Sequence, residues 1–334
     1  DSHTVNTTIS SCNNITGVTW SIGAHNITIW VNDSAGNTNY STILFNITEA
    51  DTTAPSMDFV DPTPANGTTT SNTNVQINVS IENAGKLNSS IWNWNGTNYT
   101  MYNDSLILMM NFDNLSSLGE NDTHVMDLSN KGNNGTASGG FLANASGKHG
   151  GAFRFDGKDD FVDLGDSADH DLSSAVTLSA WIYQHGVGLR NGPLIIKRNA
   201  PGSTGGAYGI VAGGGDLALG KVSMSVATAD QAWGDCLSSS SFSLNAWHHI
   251  TGTYTSGSTK VYIDGSLDKT CTDHTGDLLV ANGYLRLGIT DGWGVTYEFY
   301  NGSIDEVKIW DYALSADEVY QQYASSLTRV NQNN

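Results

Sequence analysis

Short runs of alternating apolar and polar residues, cut by turn signals, dominate this sequence, and no stretch has the apolar period of a long amphipathic helix. The runs are Ala152–Phe155, Phe161–Leu164, Val176–Tyr183, Leu194–Lys197, Lys221–Val226, Trp247–Tyr254, Lys260–Ile263, Tyr284–Leu287 and Ser303–Trp310. Asp264-Gly265, directly after Val261–Ile263, is the two-residue turn of a hairpin. One helix is expected, at Ser315–Tyr323. There Ser315 as N-cap and Glu318 three residues on form a capping box, and Leu314 with Val319 a hydrophobic staple. The pattern predicts an all-β sandwich of the jelly-roll kind.

Charge narrows the partners. The chain has 33 Asp and Glu against 14 Lys and Arg, a net charge of −19 over 334 residues. Nucleic acid and anionic membranes are therefore repelled. The longest apolar run, Leu106–Met110, is far shorter than the roughly 20 residues a membrane helix needs. The chain opens at Asp1 with no signal-like stretch, and is read as a processed protein or a piece of a longer one.

The strongest compositional feature is the Asn-x-Ser/Thr sequon. It begins at Asn6, Asn14, Asn26, Asn32, Asn39, Asn46, Asn66, Asn78, Asn88, Asn95, Asn98, Asn103, Asn114, Asn121, Asn134, Asn144 and Asn301, so 16 of 17 precede residue 147. Asn and Thr are common on exposed strands, but so dense a run favours N-linked glycans on a secreted chain. In the same 147 residues only Lys86 and Lys131 are cationic, so glycans would solubilise a surface poor in charge.

The first 50 residues contain Ile27–Val31 and Thr42–Ile47, separated by the turn cluster Asn32–Asn37. Their pattern, G-x-H-N-I-T-I-x-V-x-D-x-A-G-N, resembles the last strands of Ig-like repeats in bacterial and archaeal surface proteins. Residues 1–50 are thus expected to be the end of such a domain. Asp51–Pro55 reads as a stiff linker. Residues 51–104 offer Val75–Ile81, Ile91–Trp94 and Tyr99–Tyr102, too few strands for an Ig-type sandwich. That module is expected to be interrupted, with edges at Val75–Ile81 or Asn98–Tyr102 open to strand addition by another copy or a neighbouring surface protein.

Residues 105–327 carry a more specific likeness. Gly151–Gly157, Phe161–Leu164 and Val176–Ile182, then Trp247–Ile250 before Val261–Gly265, then Asn301–Trp310 with Ala313-Leu314-Ser315-x-x-Glu318, resemble in order the motifs of laminin-G-like domains; the last also resembles the ending of pentraxins. The resemblance implies the concanavalin A-like lectin/glucanase fold, which serves sugar binding, adhesion and spacing alike. The tail, residues 328–334, resembles the re-entry segment of surface proteins whose laminin-G-like domain is inserted within an Ig-like one.

No catalytic set is legible. The Glu-x-Asp-x-x-Glu strand of related glucanases is absent, as are the hydrolase, metalloprotease and phosphate-loop motifs, so no enzyme is expected. Ca2+ is the metal considered, because Asp156, Asp159 and Asp160 put three carboxylates on one turn. Domains of this fold often tie such a turn to the Asp opening the last strand, here Asp305; a solvated acidic turn is the equal alternative. Most acids of the pentraxin calcium site are missing at Gly205-Gly206 and Ile289–Trp293. Trp233 and Trp293, with Asp291, lie in Gly/Asp loops where a ring stacks on sugar or pins its own loop. His248 and His249 point to opposite sheet faces and cannot chelate one ion together, while Trp181 and Trp310 belong to the core. Cys236 and Cys271 are expected to form a disulfide, leaving Cys12 over.

The sequence therefore reads as an extracellular, N-glycosylated microbial cell-surface protein of archaeal type, structural or adhesive and suited to a filament or surface layer. The alternative is a Ca2+-dependent carbohydrate-binding lectin module of a larger protein. Enzymatic deglycosylation of native material is expected to lower its intact mass by many glycan units. An unmodified native mass would remove the main support for the surface assignment.

Overall fold

The computed structural model describes residues 20–50, 52–72, 75–82, 87–139, 142–186, 192–199, 206–214, 217–291 and 297–325. Asn6, Asn14, Cys12, Trp293 and the expected re-entry tail lie outside them. The chain forms two compact units, 1–54 and 55–334.

In the first unit, Gly23–Asn32 and Thr38–Ile47 pair antiparallel as one hairpin. Asp33 closes its turn by accepting the amides of Ala35 and Asn37, which holds its carboxyl below the usual range; the largest cause is the hydrogen bond from the Asn37 side chain. Trp20, His25 and Phe45 cluster at one end. A two-stranded ribbon buries little, and Ile29, Trp30, Val31, Tyr40, Ile43 and Leu44 remain exposed.

The second unit is nearly all-β, a jelly-roll sandwich built from two eight-stranded antiparallel sheets. The first sheet runs Leu142–Ser146, Gly151–Asp156, Asn301–Trp310, Ala175–Gln184, Trp247–Thr255, Ser258–Ile263, Ser266–Cys271. Its eighth strand, Leu106–Met110, continues the edge of Asn301–Trp310 beyond the point where Gly151–Asp156 leaves it. The second sheet runs Gln231–Leu237, Leu217–Thr228, Gly206–Gly214, Gly192–Arg198, Leu285–Leu287, Phe161–Asp163, Gly135–Ser138, His124–Val125. Their facing sides meet in one core that includes Phe153, Leu178, Ile182, Ile195, Tyr208, Met224, Ile250 and Ile304. Each is one member of an alternating pair along its strand, so the same pleat that buries it sends its neighbour outward.

The Ala316–Ala324 helix packs outside the first sheet. Its N-terminus is the expected capping box: the Ser315 amide donates to Glu318 at 2.8 Å and the Glu318 amide to Ser315 Oγ at 3.3 Å. Leu314 and Val319 are buried in a second cluster with Tyr102, Leu106, Met109, Tyr262 and Trp310. Tyr102 brings the Ser90–Trp94/Thr97–Tyr102 hairpin onto this outer face. Among the described residues, 55–104 therefore form no sandwich of their own. Their described strands make two separate hairpins, Ser56–Val60 with Asn78–Glu82 being the other, and its Met57 and Phe59 are exposed. The run expected as a strand from Val75 begins only at Asn78.

Cys236 and Cys271 form a disulfide, with Cα atoms 5.7 Å apart. They occupy the terminal strands of opposite sheets, so the bond closes one side of the sandwich rather than joining neighbouring strands. Closing a loop of sequence separation 35 contributes roughly 3–4 kcal/mol in the chain-entropy account. Replacing both cysteines by serine is expected to lower the thermal midpoint by about 10 °C, read by calorimetry.

Candidate functional site

The second sheet carries the candidate site on the side away from the core. In register, Asp163, Arg286 and Ile196 face one another across three strands, and Gly209, Ser225 and Asp235 continue the row. Their neighbours Val162, Leu285, Ile195, Tyr208, Met224 and Cys236 point into the core, so the row points out. Trp233, two residues before Asp235, shares that face.

Trp233 lies in the Gln231–Leu237 strand rather than in a loop. Its half-buried ring covers the bare backbone of Gly206 and Gly209: a Cβ at Gly206 would come within 2.3 Å of the ring. Glycine is needed there for closeness of approach. Gly206, Gly209, Gly213 and Gly214 leave the Gly206–Gly214 strand without the alternating apolar pattern that marks the others.

Arg198 stands beside this ring, and Arg286 lies further along the same face. The Arg198 guanidinium is 5.6 Å from the centre of Trp233 and donates to Thr290 Oγ1 at 3.2 Å. Arg286 stands 4.4 Å from the Tyr284 ring and 5.6 Å from Phe161, and donates to Asp163 Oδ2 through Nε at 3.0 Å. That ion pair is partly exposed, so it orients the guanidinium more than it stabilises the fold. Between the arginines lies a shallow depression lined by Ile196, Arg198, Asn199, Tyr284, Arg286 and Thr290, with Ile289. Fixed aromatic faces beside hydroxyl, amide and guanidinium donors suit a ligand with apolar C–H faces and many hydroxyls. Sequence reasoning found Trp233 but missed Arg198, Tyr284 and Arg286, because only strand pairing brings them together.

Asp156, Asp159 and Asp160 converge, with one carboxylate oxygen of each within 4.8 Å of the others. Such hard oxygens suit Ca2+. Part of the set is already engaged: Asp160 Oδ2 accepts the Asp156 amide at 2.8 Å, Asp156 Oδ1 accepts the Lys158 amide at 2.8 Å, and the Lys158 ammonium is 3.3 Å from Asp156 Oδ2. These three carboxylates are the groups on the turn that could hold an ion. Asp305 does not join it. On its strand Asn301 pairs with Asp156, and Asp305 lies four residues further, about 13 Å along the strand. Asp291 is in the short Ile289–Asp291 strand, with its side chain outside the described residues.

Asp305 belongs instead to a covered cluster outside the first sheet. A bulge at Glu306, with φ 50°, turns Asp305, Glu306 and Lys308 toward Trp181 and Ser179. Tyr323 of the helix stacks on Trp181 at 5.5 Å, and the His249 and His149 rings lie 5.2 and 5.9 Å from it. The His149 amide donates to Asp305 Oδ2 at 2.9 Å, and Lys308 pairs with Glu306 at 3.1 Å. His249 is hydrogen-bonded to Ser179 at 2.9 Å, while His248 faces the other way, bonded to Asp264 at 2.8 Å. Both histidines are packing residues.

Of the described sequon asparagines, Asn26, Asn32, Asn39, Asn46, Asn66, Asn88, Asn95, Asn98, Asn121 and Asn134 are exposed; Asn78, Asn103, Asn114 and Asn301 are half-buried. Asn144 lies in the Leu142–Ser146 strand, its side chain outside the described residues.

Comparison with known proteins points to one fold. A profile of the laminin-G type, described as the concanavalin A-like lectin/glucanases superfamily, matches residues 156–320. No curated protein matches the sequence. Domain 4 of AbnA, an extracellular arabinanase of Geobacillus stearothermophilus solved with arabinotriose, is similar with a TM-score of 0.50 and 22% identity, over 65% of this chain and 97% of that one. The binding domain of Paraclostridial Mosquitocidal Protein 1 is similar with a TM-score of 0.50 and 18% identity, over 66% of this chain and 52% of that one. The fold is lectin-like. No helix among the described residues is long and apolar enough to cross a membrane.

Burial raises the Asp305 carboxyl to about 8, with Glu306 adding repulsion. The folded state thus holds a proton the unfolded chain has released, so stability falls as pH rises toward 8. Burial lowers His149 to about 4 and His249 to about 3, and their effect is opposite: stability falls as pH drops below 6.5. Stability is therefore expected to peak near pH 6.5 and to lose about 1–2 kcal/mol by pH 8. Asp305→Asn is expected to remove at least half of that loss in urea titrations at the two pH values. An unchanged loss would show the carboxyl ionised throughout.

Proposed function

We propose that the lectin-like domain binds carbohydrate on the Trp233 face of its second sheet, as a non-catalytic module of an extracellular surface protein. The observation that carries this reading is the Trp233 ring laid across Gly206 and Gly209 beside Arg198, with Tyr284 and Arg286 completing a fixed aromatic and polar face. Rings held by backbone contact lose little freedom on meeting a sugar. The arabinotriose in the arabinanase domain of similar fold is a ligand of the same chemical class.

Several features support display at a cell surface. Ten exposed sequon asparagines would carry N-linked glycans. The hairpins at Gly23–Ile47 and Ser56–Glu82 are the incomplete Ig-like parts of a longer array, and their exposed apolar residues are suited to cover by further strands, from the same chain or another copy. This second, structural role is compatible with sugar binding, since it uses different residues. Ca2+ at Asp156, Asp159 and Asp160 would stiffen a turn rather than contact the ligand.

A polysaccharide array read with the intact chain tests the proposal. Binding is expected, with Trp233→Ala weakening it about tenfold or more. Tyr284→Ala, which leaves the glycine-packed ring in place, is expected to weaken it as well. No release of reducing ends is expected from any glycan bound. Binding unchanged in both variants would move the site elsewhere.

A further inference from the structure

The depression beside Trp233 has a composition unlike the rest of the molecule. The chain carries 33 acidic against 14 basic residues. Yet the described residues lining the depression include two guanidinium groups, Arg198 and Arg286, and no carboxylate. Asp163 reaches Arg286 by placing one oxygen, Oδ2, 3.0 Å from Nε and 2.9 Å from Nη2, and is not itself part of the lining.

Both arginines are held in place. Arg286 sits against Tyr284 and Phe161 and is pinned by Asp163; Arg198 sits against Trp233 and is pinned by Thr290. A guanidinium fixed this way meets a planar carboxylate with little further loss of freedom, and its fork matches two oxygens. Asn199 and Thr290, in the same lining, offer hydrogen bonds to neighbouring hydroxyls. The depression is shallow and open to solvent, so a ligand would lie across it rather than enter a cavity.

We infer that the ligand is an acidic sugar, a glycan bearing uronic-acid carboxylates, recognised by Arg198 and Arg286 with Trp233 and Tyr284 stacking beside them. The inference rests on the carbohydrate reading above and deepens it. The net charge of −19 sets the other limit. A densely sulfated or phosphorylated chain would be repelled by the molecule as a whole, whereas isolated carboxylates spaced along a sugar chain meet a local positive site.

The test uses matched pairs: oligogalacturonate and oligoglucuronate, each with its carboxyl-reduced form, titrated calorimetrically against the intact chain. At least one acidic member is expected to bind tenfold or more tightly than its reduced counterpart, and that ratio is expected to shrink as salt is raised. Arg198→Gln is expected to bring the ratio below threefold, and Arg198→Lys to restore part of it. Equal affinity for acidic and reduced forms, or a ratio unaffected by Arg198→Gln, overturns the acidic-sugar inference while leaving carbohydrate binding standing. Loss of neutral-glycan binding in Trp233→Ala, with no acidic member bound, also overturns it alone. Absence of binding to every acidic and neutral glycan overturns both readings. Thermal midpoints of the variants, compared with that of the parent chain, separate lost recognition from lost folding.

Discussion

The Asn301–Trp310 strand is the constraint on which the domain depends. One edge pairs with Ala175–Gln184 along nearly its whole length, and the other is shared in succession by Gly151–Asp156 and Leu106–Met110. Both edges are thus paired, and its faces are covered by the core on one side and the outer cluster on the other, so nine of its ten residues are buried. The change of partner requires local freedom, which the bulge at Glu306 supplies. The bulge also sends Asp305, Glu306 and Lys308 to one side, where polar groups must be covered and paired. That cover is the Trp181 cluster and the C-terminal helix.

The two outer faces then diverge. The first sheet's outer face is closed by the helix, by Tyr102 of the preceding hairpin and by Leu128. The second sheet's outer face keeps an open depression. Its exposed side is not simply solvated, because Trp233 is pressed onto glycine backbone and the arginines onto aromatic rings. A face both ordered and open is suited to recognition, since the ordering precedes the ligand. The disulfide adds to this by tying the Trp233-bearing strand to the opposite sheet three residues away, at Cys236.

Strand runs with clean alternation were legible in the sequence. Ala175–Gln184 and Trp247–Thr255 lie within one or two residues of their expected ends, because one face of each meets the core and the pleat enforces period two. The capping box was legible for a local reason: Ser315 and Glu318 satisfy each other's amides without help from the rest of the fold. Gly206–Gly214 and Gln231–Leu237 were not legible as strands. Gly206 and Gly209 answer to Trp233 of the Gln231–Leu237 strand, and Gly234 of that strand to His274; such demands are invisible along the chain.

Sequence by itself thus determined the all-β class, the order of the main core strands, the helix start and the acidic balance, since each follows from neighbours within a few residues or from composition. Tertiary structure alone decided which residues share the candidate site. Arg198, Trp233, Tyr284 and Arg286 come from three strands and an adjoining turn of the second sheet, and their meeting is set by register. It also decided that Asp305 stands apart from the Asp156 turn, because position along a paired strand, not chemical likeness, fixes the distance between two carboxylates.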